Sequence, residues 1–343
     1  MTNIKNLEST ISKIAIPGKG ILAADESTPT ITKRFEANRI TSTEETRREY
    51  RELLLTTPNC NQFIAGVILF EETLNQNTSK GVPFPEALAA LNILPGIKVD
   101  KGLVALANAN NEQITQGLDG LPERLATYRS KGACFAKWRA VYQISAETPS
   151  LLSIQTNAEV LARYAAICQN EGIVPIVEPE VLIDGDHTLA QCAIATEAVL
   201  QAVFEALYRH KVKLEYIILK PNMVINGKAC PQKASVTQVA EETVRILRRT
   251  VPGAVPTINF LSGGQTAEQA TAHLNMMHQY GTLPWNLSFS YARALQDGCM
   301  KIWQGQAAHY QAAQSEFYKR AKLNSLAAKG EYTEAMEKQA TAA

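Results

Sequence analysis

Short apolar or β-branched runs recur along the chain, and each ends in polar residues. They are 21–27 (ILAADES), 66–72 (GVILFEE), 96–102 (GIKVDKG), 134–140 (CFAKWRA), 173–180 (IVPIVEPE), 216–222 (YIILKPN), 257–264 (TINFLSGG) and 287–293 (LSFSYAR). Runs of this length and makeup predict buried β-strands. Most gaps between them carry apolar residues at helical spacing. Ser42 followed by Glu45 predicts a capping box that opens a helix through Leu55. Residues 157–169, 188–210, 236–249 and 267–280 predict amphipathic helices, and a last helix over 307–328 is stopped by Gly330.

Strand and helix alternating over this length predict a parallel sheet. About eight strands in one domain favour closing it into a (β/α)8 barrel, with length to spare for extra N- and C-terminal helices. An open doubly wound sheet would want a glycine-rich turn after its first strand. After Asp25 the chain has Glu26, Ser27, Thr28 and Pro29 instead. There is no sequence repeat, low-complexity block or Pro/Gly-rich linker, so residues 1–343 are expected to form a single domain. Beyond about residue 331 the chain is mostly small or polar, which predicts a short flexible tail.

Composition narrows the function classes. The formal net charge is +1, with no basic stripe or acidic tail, which argues against nucleic acid and charged membranes as partners. No apolar run approaches the ~20 residues of a membrane span. The N-terminal stretch MTNIKNLEST is polar and unlike a secretory or organelle leader. Six scattered cysteines (Cys60, Cys134, Cys168, Cys192, Cys230, Cys299) form no C-x-x-C pair and predict buried thiols in a reducing cytoplasm.

Barrel active sites lie at the carboxyl ends of the strands. There the sequence gathers Asp25, Glu71, Lys101, Lys137, Arg139, Glu178, Glu180, Lys220, Ser262 and Arg293. A charged strand end is by itself most simply a solvated one. So many on one rim point to chemistry. Lys220 follows an apolar strand and precedes Pro221. Desolvation, or a second cation such as Lys137, would free its amine to attack a carbonyl. The resulting iminium draws electrons from an adjacent C–C bond. Glu178 and Asp25 are placed to move the protons, and in different surroundings they could hold different protonation states.

The LSGGQ turn before a helix offers backbone N–H groups to an anion, and Arg293 offers a bidentate contact. Ser27, Thr30 and Lys101 could hold a second anion across the rim. The five histidines (His187, His210, His273, His278, His309) lie away from strand ends and carry no metal-ligand spacing.

Nine stretches carry a resemblance to a known family: IPGKGILAADEST, GVILFEETL, GIKVDKG, QGLDGLPER, FAKWR, EGIVPIVEPE, LKPNM, FLSGGQ and FSYARALQ. From about Ile11 to Tyr332 the sequence resembles the class I fructose-bisphosphate aldolases, which use a lysine Schiff base and no metal. The resemblance implies a barrel, usually a homotetramer, with no cofactor. Its substrates would be a sugar bisphosphate and triose phosphates. It implies Lys220 as the Schiff-base lysine, Glu178 as proton handler, Glu180 in support, and Asp25 and Lys137 assisting C–C cleavage. Phosphate binding would fall to Lys101, Arg139, Ser262, Gly263 and Arg293, with Ser27 and Thr30 at the other end.

Three positions depart from the family pattern. Ala292 stands where members often have glycine, Pro29 where several have a smaller residue, and the chain lacks the terminal tyrosine of many animal members. Three alternatives stay open on sequence grounds: a preference for sedoheptulose 1,7-bisphosphate, a pyridoxal-phosphate barrel enzyme, and a barrel kept as a non-catalytic scaffold.

Overall fold

A computed structural model describes residues 2–338. In it the eight apolar runs become eight parallel strands closed into a barrel. These are β1 (Gly20–Ala24), β2 (Ile64–Leu69), β3 (Leu94–Lys98), β4 (Phe135–Tyr142), β5 (Val174–Val181), β6 (Ile218–Leu219), β7 (Thr257–Phe260) and β8 (Asn286–Tyr291). Neighbours pair in chain order, and β1 closes the ring on β8 through Ile21 and Ser290. A two-stranded antiparallel ribbon, Leu103–Ala105 with Gln113–Thr115, stands outside the barrel.

Side chains along a strand alternate between faces, and this alternation builds the site. Ile21, Ala23, Ile68, Phe135, Val174, Ile176 and Ile218 form one buried apolar cluster. Two positions beyond the last cluster residue on four of these strands come Asp25, Lys137, Glu178 and Lys220. Each is therefore the next inward-facing position above an apolar layer. Phe135 fills that layer because Gly96 on the neighbouring strand leaves room: a Cβ there would meet the ring at 2.2 Å. The N-terminal helix Thr2–Ile14 adds Leu7 and Ile14 to the same cluster.

On the outer face Trp138 packs its ring 5.4 Å from that of Tyr164 on the helix Leu151–Asn170. The helix Leu189–Arg209 is long and apolar enough to cross a membrane by length and composition, although Glu197, Glu205 and Arg209 interrupt its apolar run. Here it buries Val199, Leu200, Val203 and Phe204 in the main core.

Several local expectations shift. The capping box lies one residue later: Thr43 Oγ1 accepts from Thr46 N at 3.1 Å, and Thr43 N donates to Thr46 Oγ1 at 2.8 Å. Glu45 pairs with Arg48 instead. Tyr216 belongs to a 3-10 turn and donates its hydroxyl to Glu8, so β6 is reduced to Ile218 and Leu219 before Pro221. Lys137, Arg139, Glu178 and Glu180 lie within long strands rather than past their ends.

The tail also differs from expectation up to Lys338. Tyr332 is 5% exposed, because it packs on the core and donates to Glu337. Glu337 accepts from Arg320 Nη1 at 2.7 and 2.6 Å. Residues 339–343 lie outside the described residues. Arg320 is buried, so Glu337→Gln should lower unfolding free energy by about 1–3 kcal/mol. Turnover should change less than tenfold. An unaltered denaturation midpoint would show that the Arg320–Glu337 pair contributes nothing.

Candidate active site

Four buried charges form a chain across the top of the barrel. Lys220 Nζ stands 3.1 Å from Glu178 Oε1. Lys137 Nζ stands 3.2 Å from Glu178 Oε2 and 2.8 Å from Asp25 Oδ2. All four side chains are under a tenth exposed. Two lysines and two carboxylates share one buried site, and pairing them offsets the cost of burying any of them alone.

Burial alone would raise the Asp25 carboxyl. The Lys137 and Lys220 charges outweigh it and bring it down to about 2. Burial also opposes ionisation of Glu178, and the same two lysines with Arg139 hold it below its ordinary value. Both groups are thus carboxylates at neutral pH in the unliganded site. The sequence had allowed them different protonation states. Burial works against the Lys137 charge, but Asp25 and Glu178 more than offset it and raise its pKa. Lys137 is a fixed cation. Lys220, with the single partner Glu178 among the described residues, is the lysine with a proton acceptor in line.

Around this chain lies a cavity of about 820 Å³ lined by Asp25, Ser27, Thr30, Lys101, Lys137, Arg139, Glu178, Lys220 and Arg293, among others. The structure therefore brings nine of the twelve residues given a role by the resemblance to one space, with Glu71 beside them. Arg139 Nε pairs with Glu180 while the arginine lines the cavity. Lys101 is half-exposed and 3.7 Å from Glu71, whose other oxygen accepts from Tyr128. Ser27 and Thr30 share a 3.1 Å hydroxyl contact at the start of the helix Thr28–Ala37, where Pro29 sits in the first turn. That placement suits proline, which lacks the N–H a later position needs.

Ser262, Gly263 and Glu180 are not part of this lining. Gly263 (φ +55°) and Gly264 (φ +85°) carry the chain through left-handed backbone into the helix Ala267–Met277. A Cβ on Gly264 would stand 3.3 Å from Arg293 Nη2, so the turn and the arginine adjoin. Arg293 opens the helix Arg293–Trp303. Ala292 before it has φ −100°, which L residues adopt without glycine.

Sequence reasoning missed three supports. Glu26 accepts from Arg34 and pairs with Arg51 at 2.8 Å, pinning the loop that carries Asp25 and Ser27. Asn222, just past Lys220, accepts from Val181 N at 3.0 Å and donates to Thr196 at 3.1 Å. It ties the lysine's strand end to that of the glutamates. Lys228 approaches the glycine turn. The ADES and KPN stretches signalled the first two, while nothing local signalled the third.

A family model described as fructose-bisphosphate aldolase class-I matches residues 6–343. The chain belongs to the class I fructose-bisphosphate aldolase family. A Xanthomonas campestris pv. campestris protein named "Probable fructose-bisphosphate aldolase class 1" is 55% identical over 331 residues, 96% of this chain and 99% of that one. The fructose-bisphosphate aldolase of Dictyostelium discoideum is 54% identical over 330 residues, 95% of this chain and 92% of its own. A solved structure of the Plasmodium falciparum fructose-bisphosphate aldolase, with TRAP and a small-molecule inhibitor, matches at TM-score 0.95 and 49% identity. It covers 97% of this chain and 96% of that chain. The class I aldolase family thus accounts for the barrel and for its order of strands, and the chain is that of an enzyme family.

Proposed function

We infer that this chain catalyses the reversible aldol cleavage of fructose 1,6-bisphosphate to dihydroxyacetone phosphate and glyceraldehyde 3-phosphate through a Schiff base on Lys220. The observation that carries this is the buried chain Lys220–Glu178–Lys137–Asp25. Glu178 accepts a proton from the Lys220 ammonium across 3.1 Å. The neutral amine adds to the substrate C2 carbonyl to give a carbinolamine, whose hydroxyl takes the proton Glu178 now holds and leaves as water. The product is an iminium.

Asp25 removes the C4 hydroxyl proton while the C3–C4 bond breaks and its electrons pass to the iminium as an enamine. Lys137, charged throughout, lies against the developing oxygen charge. Glyceraldehyde 3-phosphate departs, the enamine is protonated at C3, and water releases dihydroxyacetone phosphate from Lys220. Glu180 holds Arg139 beside Glu178. The 262–264 turn and Arg293 adjoin the Lys220 strand and suit the phosphate next to the imine carbon. Ser27, Thr30 and Lys101 suit the distal one.

A homotetramer in the cytosol completes this picture. Supporting it are the exposed apolar side chains Leu151 (69%), Ile194 (70%) and Tyr208 (84%) on two adjacent helices, and six unpaired thiols. A single-chain mass by light scattering would overturn the assembly.

The function is tested by assaying the purified chain against fructose 1,6-bisphosphate and sedoheptulose 1,7-bisphosphate, with EDTA present. Turnover of the six-carbon substrate at equal or higher kcat/KM is expected, unaffected by the chelator. Loss of activity with EDTA, restored by a divalent metal, would refute the Schiff-base route. Strong preference for the seven-carbon substrate would reassign the main role.

A further inference from the structure

Gly264 is the point on which two cations converge. A Cβ there would stand 3.0 Å from Lys228 Nζ and 3.3 Å from Arg293 Nη2. Any other residue would push both away, and φ +85° independently favours glycine. Two like charges held over one small patch repel unless an anion lies between them. A phosphate dianion, with three terminal oxygens, satisfies both at once.

The backbone that presents Lys228 is fixed before any ligand arrives. Lys228 N donates to Ile183 O at 2.9 Å, Ala229 N to Gly185 O at 2.9 Å, and Gly227 N to His187 O at 2.8 Å. Gly227 packs so tightly on Gly185 that a Cβ would stand 2.3 Å from its carbonyl oxygen. Lys233 is occupied elsewhere: its Nζ donates to Gly227 O at 3.1 Å and Lys228 O at 2.6 Å. The Lys228 side chain, by contrast, is about half-exposed. Its carboxylate contact is the exposed Asp184, Oδ1 at 3.3 Å. That is a weak, solvent-screened pair, easily exchanged for a dianion.

We propose that Lys228 is a phosphate-binding residue of the 262–264 turn, paired with Arg293 on the phosphate next to the imine carbon, and that Asp184 competes with that phosphate for it. This rests on the assignment of the turn to that phosphate. Lys228 follows Lys220 in the loop after β6, while the turn follows β7. The second cation therefore comes from the same loop as the nucleophile.

The test is steady-state kinetics of the full chain with fructose 1,6-bisphosphate and with fructose 1-phosphate, which lacks the distal phosphate. Lys228→Met should raise KM about 5- to 20-fold for both, with kcat within twofold, because a uniform binding contact is lost. Lys228→Arg should recover most of the loss. Asp184→Asn should act in the opposite direction and lower KM about two- to threefold. Arg293→Ala is the reference.

If Arg293→Ala raises KM and Lys228→Met does not, the role of Lys228 is overturned. If neither moves KM, the turn is not the phosphate site and both assignments fall. If Lys228→Met affects the bisphosphate alone, Lys228 serves the distal phosphate and the proposal is wrong. A fall in kcat at constant KM would likewise refute a binding role.

Discussion

Lys220→Met is expected to reduce cleavage by about 10⁴-fold or more, since the covalent route disappears with its nucleophile. Borohydride with dihydroxyacetone phosphate should inactivate the parent and leave the variant unlabelled. The label in the parent should fall on the peptide that contains Lys220. Glu178 keeps Lys137 as a partner at 3.2 Å when Lys220 is gone, and Asp25 keeps it at 2.8 Å, so neither carboxylate is left without a cation and the variant should fold. Modification of Lys137 or Lys101 in place of Lys220 would overturn the assignment. The geometry already separates the lysines. Lys137 is clamped by two carboxylates, and Lys101 is half-exposed beside Glu71.

Lys137→Met should slow the chemical step by about 10²–10⁴-fold while Lys220 remains trappable. It should also move the acid limb of the rate profile. Asp25 is held down at about 2 by Lys137 first and Lys220 second. Removing the nearer cation lets burial raise that carboxyl, so less of it is ionised at a given pH and activity falls away at higher pH than in the parent. The same linkage affects stability. A carboxyl depressed on folding stabilises the fold fully above its unfolded value near ~4, and that contribution is lost as pH falls toward about 2. Near-normal turnover of Lys137→Met, with an unmoved acid limb, would leave Lys137 as a structural strand residue.

Much of this site was legible because barrels translate a period of two into depth. Ile218 and Lys220, or Ile176 and Glu178, read as an apolar residue and a charge two apart. The fold makes them successive layers of one interior. Run ends were a less accurate guide than this alternation. Lys137 and Glu178 were placed at strand ends although β4 and β5 continue past them, because polar residues such as Arg139 and Glu180 broke the apolar pattern but not the ladder.

What was not legible depends on partners distant in sequence. Lys228 looks like any loop lysine until Gly264 and Arg293 are placed beside it. The segment after Gly330 looked too polar to dock, and it docks through a charge: Arg320, buried in the last long helix, needs Glu337. The one-residue slip of the capping box has a local cause. Ser42, Thr43 and Thr46 are all competent capping groups, and only the approach of the chain selects among them.

The closure of β1 on β8 sets a delay on the newborn chain. The Gln296 side chain donates to the carbonyl of Ala23, 273 residues away, and the strand that leads into Asp25 lacks one neighbour until β8 exists. At about 5–20 residues per second on the ribosome, roughly 14–55 s separate the two partners. For that interval β1 presents an unpaired edge beside an apolar face, which is the kind of surface that aggregates or recruits a chaperone. Polypeptides released before residue 286 would hold every lysine and carboxylate assigned to the proposed reaction and are expected to be inert. The rate of appearance of active enzyme is then expected to follow the completion of the last strand and not that of the segment bearing Lys220.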